Sequence, residues 1–218
     1  NIFKPIEIIK NKRCKRDIMN RIESLPTDWF KIADYFSILT LPLEFASKIV
    51  NALEVPAAEK EQRIKQFAGR KKQFKSLVES NKKIKVQEIY EKNPIEKYLI
   101  EGIQRKSVWI STDIPRNVRI EQVETIIHRL ENYPKYDIAF TTKQIPYAFL
   151  LRPPWVALID SKSEKDFGLG AVVISTRESV KTFVDEFKDY YSEIPEKEKS
   201  KEYNIAYLKD MLKKMKER

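Results

Sequence analysis

Cysteine and histidine occur once each in the 218 residues, as Cys14 and His128, and glycine only four times. A single thiol excludes an internal disulfide and a cysteine-rich zinc site, and it suits a reducing cytoplasm. A single imidazole removes most metalloenzyme and Ser-His-Asp schemes. Four glycines are too few to build a glycine-rich phosphate loop. No apolar run approaches the ~18–20 residues that span a bilayer, and Asn1-Ile2-Phe3-Lys4-Pro5 lacks the charged-then-apolar pattern of a signal peptide. The chain opens on asparagine rather than methionine, so an N-terminal segment ahead of it is expected. What is present is enough for a core: 42% of residues are hydrophobic and 11% aromatic, more apolar surface than disordered chains carry. This length is one large domain or two small ones.

Charge is the strongest compositional feature. Lys and Arg number 42 against 32 Asp and Glu, a formal net charge of +10. The excess is lopsided: residues 1–90 hold 19 basic and 11 acidic side chains, residues 91–218 hold 23 and 21. Between Lys60 and Lys85 lie ten basic residues, Arg70, Lys71, Lys72 and Lys75 among them, against Glu61 and Glu79 alone. Such an excess attracts polyanions by releasing their counterions, and duplex DNA is the expected one. The plainer alternative is a solvated helix face.

Hydrophobic spacing divides the chain into four parts. Residues 1–58 read as an all-α bundle of short helices, with Thr27 as the N-cap of a helix through Trp29, Phe30, Ala33 and Phe36. Residues 59–93 read as a basic helical connector anchored by Ile64, Phe67, Phe74, Leu77 and Val78. Residues 94–195 read as an α+β domain with an antiparallel or mixed sheet. Its expected strands are Val108–Thr112, Tyr136–Thr142, Tyr147–Leu151, Trp155–Asp160 and Leu169–Ser175, and its expected helices Val118–Leu130 and Arg177–Tyr191. Residues 196–218 read as a charged helix available to a partner or to its own copy.

Catalytic constellations are scarce. Asp137 and Asp160 lie on or beside strands, and a cryptic nuclease would need them to converge. The carboxylates Asp185, Glu186 and Asp189, and Glu193, Glu196 and Glu198, have surface spacing. His128 reads as a half-buried structural histidine. Cys14, within Lys12-Arg13-Cys14-Lys15-Arg16, reads as an exposed thiol without a partner base. No catalytic residue, metal site or cofactor is expected.

Two resemblances add to this. Pro42-Leu43-Glu44-Phe45-Ala46-Ser47-Lys48-Ile49-Val50-Asn51-Ala52-Leu53-Glu54-Val55 resembles the closing helix of Xre/phage-repressor helix-turn-helix domains. Counted backwards, the resemblance implies a first helix at Ile6–Arg13, a second at Asp17–Ile22 and a recognition helix at Thr27–Phe36. The family's glycine after the second helix is missing, and Asp28 and Asp34 outnumber Lys31 on the implied recognition helix. The stretch Leu130–Ala139, with Trp155–Asp160 and the Phe183/Phe187 helix, is similar to regulator domains that look like catalytically dead phospholipase D relatives. That family's His-x-Lys motif stands here as His128-Arg129-Leu130, so the resemblance implies ligand sensing or assembly rather than phosphodiester chemistry.

The sequence therefore reads as a cytoplasmic, non-enzymatic transcriptional regulator that binds DNA and dimerises. The expected DNA-binding residues are Lys12, Arg13, Lys15, Arg16, Thr27, Asp28, Trp29, Lys31, Arg70, Lys71, Lys72 and Lys75. The alternative is an accessory subunit of a larger nucleoprotein complex. In neither case is a membrane partner expected.

Overall fold

The computed structural model describes residues 5–9, 12–80, 83–102, 114–161 and 171–217, apart from the side chains of residues 8, 12–16, 80, 160 and 161. A single seven-stranded mixed sheet organises them. Its strands are β1 (Ile6–Ile9), β2 (Trp29–Ala33), β3 (Val86–Glu91), β4 (Tyr136–Thr141), β5 (Tyr147–Arg152), β6 (Val156–Ser161) and β7 (Ala171–Ile174). They lie in the order β1-β7-β6-β5-β2-β3-β4. The β2, β3 and β4 strands run parallel, and every other neighbouring pair is antiparallel.

Two crossovers make the parallel half. The first runs from β2 through α2 (Leu43–Asn51) and α3 (Ala57–Ser80) to β3. The second runs from β3 through α4 (Lys92–Glu101) and α5 (Arg116–Asn132) to β4. Helix α1 (Lys12–Glu23) and the crossover helices cover one face, with α8 (Lys201–Glu217) closing over β4 and α5. The opposite face packs on α6 (Arg177–Glu193), while the short α7 (Glu196–Lys199) links α6 to α8. Alternation along β2 shows the two layers: Trp29 and Ala33 enter the first core, Ile32 the second.

This architecture overturns the expected division into an N-terminal all-α bundle and a separate α+β domain. Ile6–Ile9 forms an edge strand, not the first helix. Trp29–Ala33 forms β2, between β3 and β5, so there is no recognition helix over residues 27–36. Both segments are rich in β-branched or aromatic residues, and the sheet gives their backbone groups partners on neighbouring strands. Val86–Glu91, inside the expected connector, is β3 at the heart of the parallel set. The resemblance to a helix-turn-helix bundle therefore fails, although the quoted Pro42–Val55 stretch does contain a helix, α2.

The later elements fall close to their expected places, except Val108–Thr112, which lies outside the described residues. Helix α8 does not stay free for a partner: Asn204, Leu208, Met211 and Met215 are buried. The Asn204 amide donates to the Ile138 carbonyl of β4 at 2.9 Å. Helix α4 ends at Gly102, whose φ of 77° is the left-handed conformation that favours glycine. No helix among the described residues is long and apolar enough to cross a membrane.

Candidate nucleic-acid interface on the basic helix

At 24 residues, α3 is about 36 Å long. Its inward residues follow helical spacing: Phe67 is partly buried, and Arg70, Phe74 and Val78 are buried. The outward face carries Gln62, Lys65, Gly69, Lys72, Gln73 and Ser76, all exposed. The opposition of these two faces decides which cations can reach a partner.

Arg70 is spent internally. Its guanidinium donates to both carboxylate oxygens of Glu23, at 2.5 and 2.6 Å, with both side chains at most 5% exposed. This two-pronged bond ties α3 to the last turn of α1. Lys71 is half-buried and donates to the Leu41 carbonyl. Burial and then the nearby Arg129 hold its ammonium pKa below the usual lysine value. Lys60 donates to the Asn51 carbonyl at 2.7 Å, Arg63 pairs with Glu59 at 2.6 Å, and Lys75, 65% exposed, lies 3.8 Å from Glu79. Among the described residues Lys65 and Lys72 make neither a hydrogen bond nor an ion pair. They are the cations left for an external anion.

Beneath α3 the sheet carries a buried charged layer. Glu88 on β3 is fully buried and accepts from the Trp29 indole (3.2 Å), the Tyr90 hydroxyl (2.8 Å) and the Tyr136 hydroxyl (3.2 Å). Lys31 is buried beside it, donates to the Tyr35 carbonyl at 3.2 Å and faces the Tyr35 and Tyr90 rings. Desolvation lowers the Lys31 pKa, while Glu88, Asp34 and Glu23 oppose that shift. Arg152, fully buried at the end of β5, donates to the carbonyls of Glu23 and Thr27 and stacks over Trp29. Burial pushes its pKa down to about 10. Phe74 of α3 packs against the Trp29 ring at 5.0 Å, tilted by 58°, and Arg129 lies over the Phe74 ring at 4.9 Å. The layer thus fixes the inner face of α3 and leaves its outer face to solvent.

The expected DNA-binding residues separate accordingly. Trp29, 2% exposed, and Lys31, 8% exposed, belong to the core and form no groove-facing set. Thr27 supplies its carbonyl to Arg152, and the Asp28 carboxylate accepts the Lys85 backbone N–H at 2.9 Å. Arg70 and Lys71 turn inward, while Lys72 and Lys75 turn outward. Lys12, Arg13, Lys15 and Arg16 lie on α1, but their side chains are outside the described set, as is that of Cys14. His128 is exposed rather than half-buried, with its ring against Asn132 and Tyr133. Asp137 and Asp160 do not converge: β4 and β6 are separated by three strands, about 19 Å.

Sequence spacing missed Glu23, Glu88, Arg129 and Arg152. The available signal was a charge inside an apolar run, as at Val86-Gln87-Glu88-Ile89-Tyr90 and Leu150-Leu151-Arg152.

No protein-family model matches the chain, and no curated protein matches it. Among solved structures it is similar to TrmBL2, an archaeal chromatin protein whose structure is described as showing a novel mode of DNA binding. The TM-score is 0.47 and the identity 11%, over 90% of this chain and 54% of that one. The chain thus spans about half the length of TrmBL2.

Proposed function

We propose that the protein binds duplex nucleic acid through the outer face of α3, holding the phosphate backbone rather than reading bases. The observation that carries this is the placement of Lys65 and Lys72, exposed and unpaired among the described residues, on a helix whose inner face is locked by Arg70 and Phe74. A lysine ammonium is a point charge suited to phosphate oxygens, and such contacts supply affinity without sequence preference. The formal net charge of +10 favours the same class of partner. The reading assigns the chain no catalytic step. Any regulatory role would come from occupying DNA, since the helix expected to enter the major groove is a buried strand.

The test is fluorescence anisotropy on a labelled duplex between about 50 and 200 mM salt. Lys65→Ala with Lys72→Ala should weaken binding to unrelated duplexes alike. It should also flatten log affinity against log salt by up to ~1.8, at ~0.9 per lost phosphate contact. An unchanged slope refutes the reading.

A second reading, a non-catalytic subunit of a nucleoprotein assembly, is favoured by Trp155 and Ile6, which are 49% and 63% exposed. Exposed tryptophans are common anchors of protein interfaces.

A further inference from the structure

Gly69 sits in the middle of α3, where glycine is a poor helix former. Nothing internal accounts for it. Its φ is not positive, Gly102 being the positive-φ glycine among the described residues. Among the described residues a Cβ built on Gly69 meets no atom within 4 Å. The fold therefore leaves room for a side chain here, yet the position carries none.

Its neighbours on the same exposed face explain what a bare backbone would serve. Lys65 lies four residues before Gly69 and Lys72 three after it, so both stand beside it on the outward surface. At ~1.5 Å rise per residue the two lysines are about 10 Å apart along the helix. Phosphates of one strand advance ~3.4 Å each along the duplex axis, so the two lysines reach different phosphates rather than sharing one.

We propose that Gly69 is the point of closest approach between α3 and the sugar–phosphate backbone of a duplex. The missing side chain leaves a notch in the exposed surface, and the Lys65 and Lys72 ammonium groups hold phosphates on either side of it. This rests on the nucleic-acid reading above and adds the place and depth of contact. The occupant is chosen by charge: two free cations flank the notch, and on the helix's outward face the nearest acid is Glu61.

The experiment compares full-length wild type with Gly69→Ala, Gly69→Leu and the Lys65→Ala/Lys72→Ala pair, by thermal unfolding and by anisotropy on one duplex. Because the site is open, both glycine variants should melt higher, by about 2–4 °C for each ~1 kcal/mol of helix stabilisation. Binding should nonetheless weaken, about threefold for alanine and more than about tenfold for leucine. Stability and affinity would then move in opposite directions, which a structural glycine cannot produce. If Gly69→Leu binds within about twofold of wild type while the lysine pair weakens binding, the notch is refuted and the lysine contacts stand. A Gly69→Leu protein that melts lower shows that the fold itself requires glycine, and also refutes the notch. If the lysine pair binds as wild type does, the nucleic-acid reading fails and the notch fails with it.

Discussion

The Glu23–Arg70 pair allows a quantitative test of how α3 is held. Arg70→Met removes the guanidinium from Glu23, whose side chain is 3% exposed. Breaking a buried pair from one side costs about 3–5 kcal/mol, because the survivor is an uncompensated buried charge. The two halves of this pair are not equivalent. Without Arg70, Glu23 still faces buried Arg152 and Lys31, whose charged forms it stabilises. Without the Glu23 charge, all three cations lose a counter-ion at once. Arg70→Met should therefore cost about 3 kcal/mol and Glu23→Gln about 5, a large fraction of the ~5–15 kcal/mol that hold a domain together. Urea unfolding at neutral pH, followed by far-UV circular dichroism, measures both through the midpoint at constant m. Arg70→Met protein that remains folded should keep the wild-type salt slope on DNA, since this guanidinium never reaches solvent. Equal costs, a milder Glu23→Gln, or losses below about 1 kcal/mol would refute the account.

Alkaline stability follows from the layer around Glu88. Burial, reinforced by the Glu88 charge, holds the Tyr90 and Tyr136 hydroxyls well above the ordinary tyrosine pKa. Above about pH 10 the unfolded chain releases protons that the native chain retains, so stability should fall by about 1.4 kcal/mol per pH unit for each tyrosine. Lys31 acts in the opposite sense: its lowered native pKa makes stability rise with pH until the unfolded lysine itself titrates near 10.5. Tyr136→Phe should remove its own share of the decline, about 1.4 kcal/mol per pH unit, in a urea series across that range, and an unaltered decline refutes it. Gly102→Ala forces an unfavourable φ of 77° and brings a Cβ to 3.0 Å from an Arg119 nitrogen. It should cost about 1–2 kcal/mol by thermal unfolding, opposite in sign to Gly69→Ala, and a neutral outcome would contradict the cap geometry.

Legibility in the sequence followed how each element is exposed. Helix α6 could be read because its two sides differ, and strands β5 and β6, although buried on both faces, because turns bound their short apolar runs. Strand β2 hid because it is central: Trp29, Phe30, Lys31, Ile32 and Ala33 meet protein on both faces, so no polar alternation survives. The same five residues happen to fit helical spacing when followed by Phe36. Strand β3 hid behind Gln87 and Glu88, which look like surface residues but are 4% and 0% exposed. The basic run was visible at once. Which of its members face outward was not, because that depends on the distant partners Glu23 and Leu41.

The strand order also sets a timetable. Ile6 pairs with Ile174 on β7, the one neighbour β1 has among the described residues. At synthesis rates of about 5–20 residues per second, roughly 8–34 s separate the emergence of these two positions from a ribosome. Throughout that interval β2, β3 and β4 can assemble in the order in which they appear, while Ile6 and Ile9 wait unpaired. A nascent chain is then a growing sheet in which β1, made before the other described strands, is placed after them, and its apolar residues must be kept from other chains until β7 arrives.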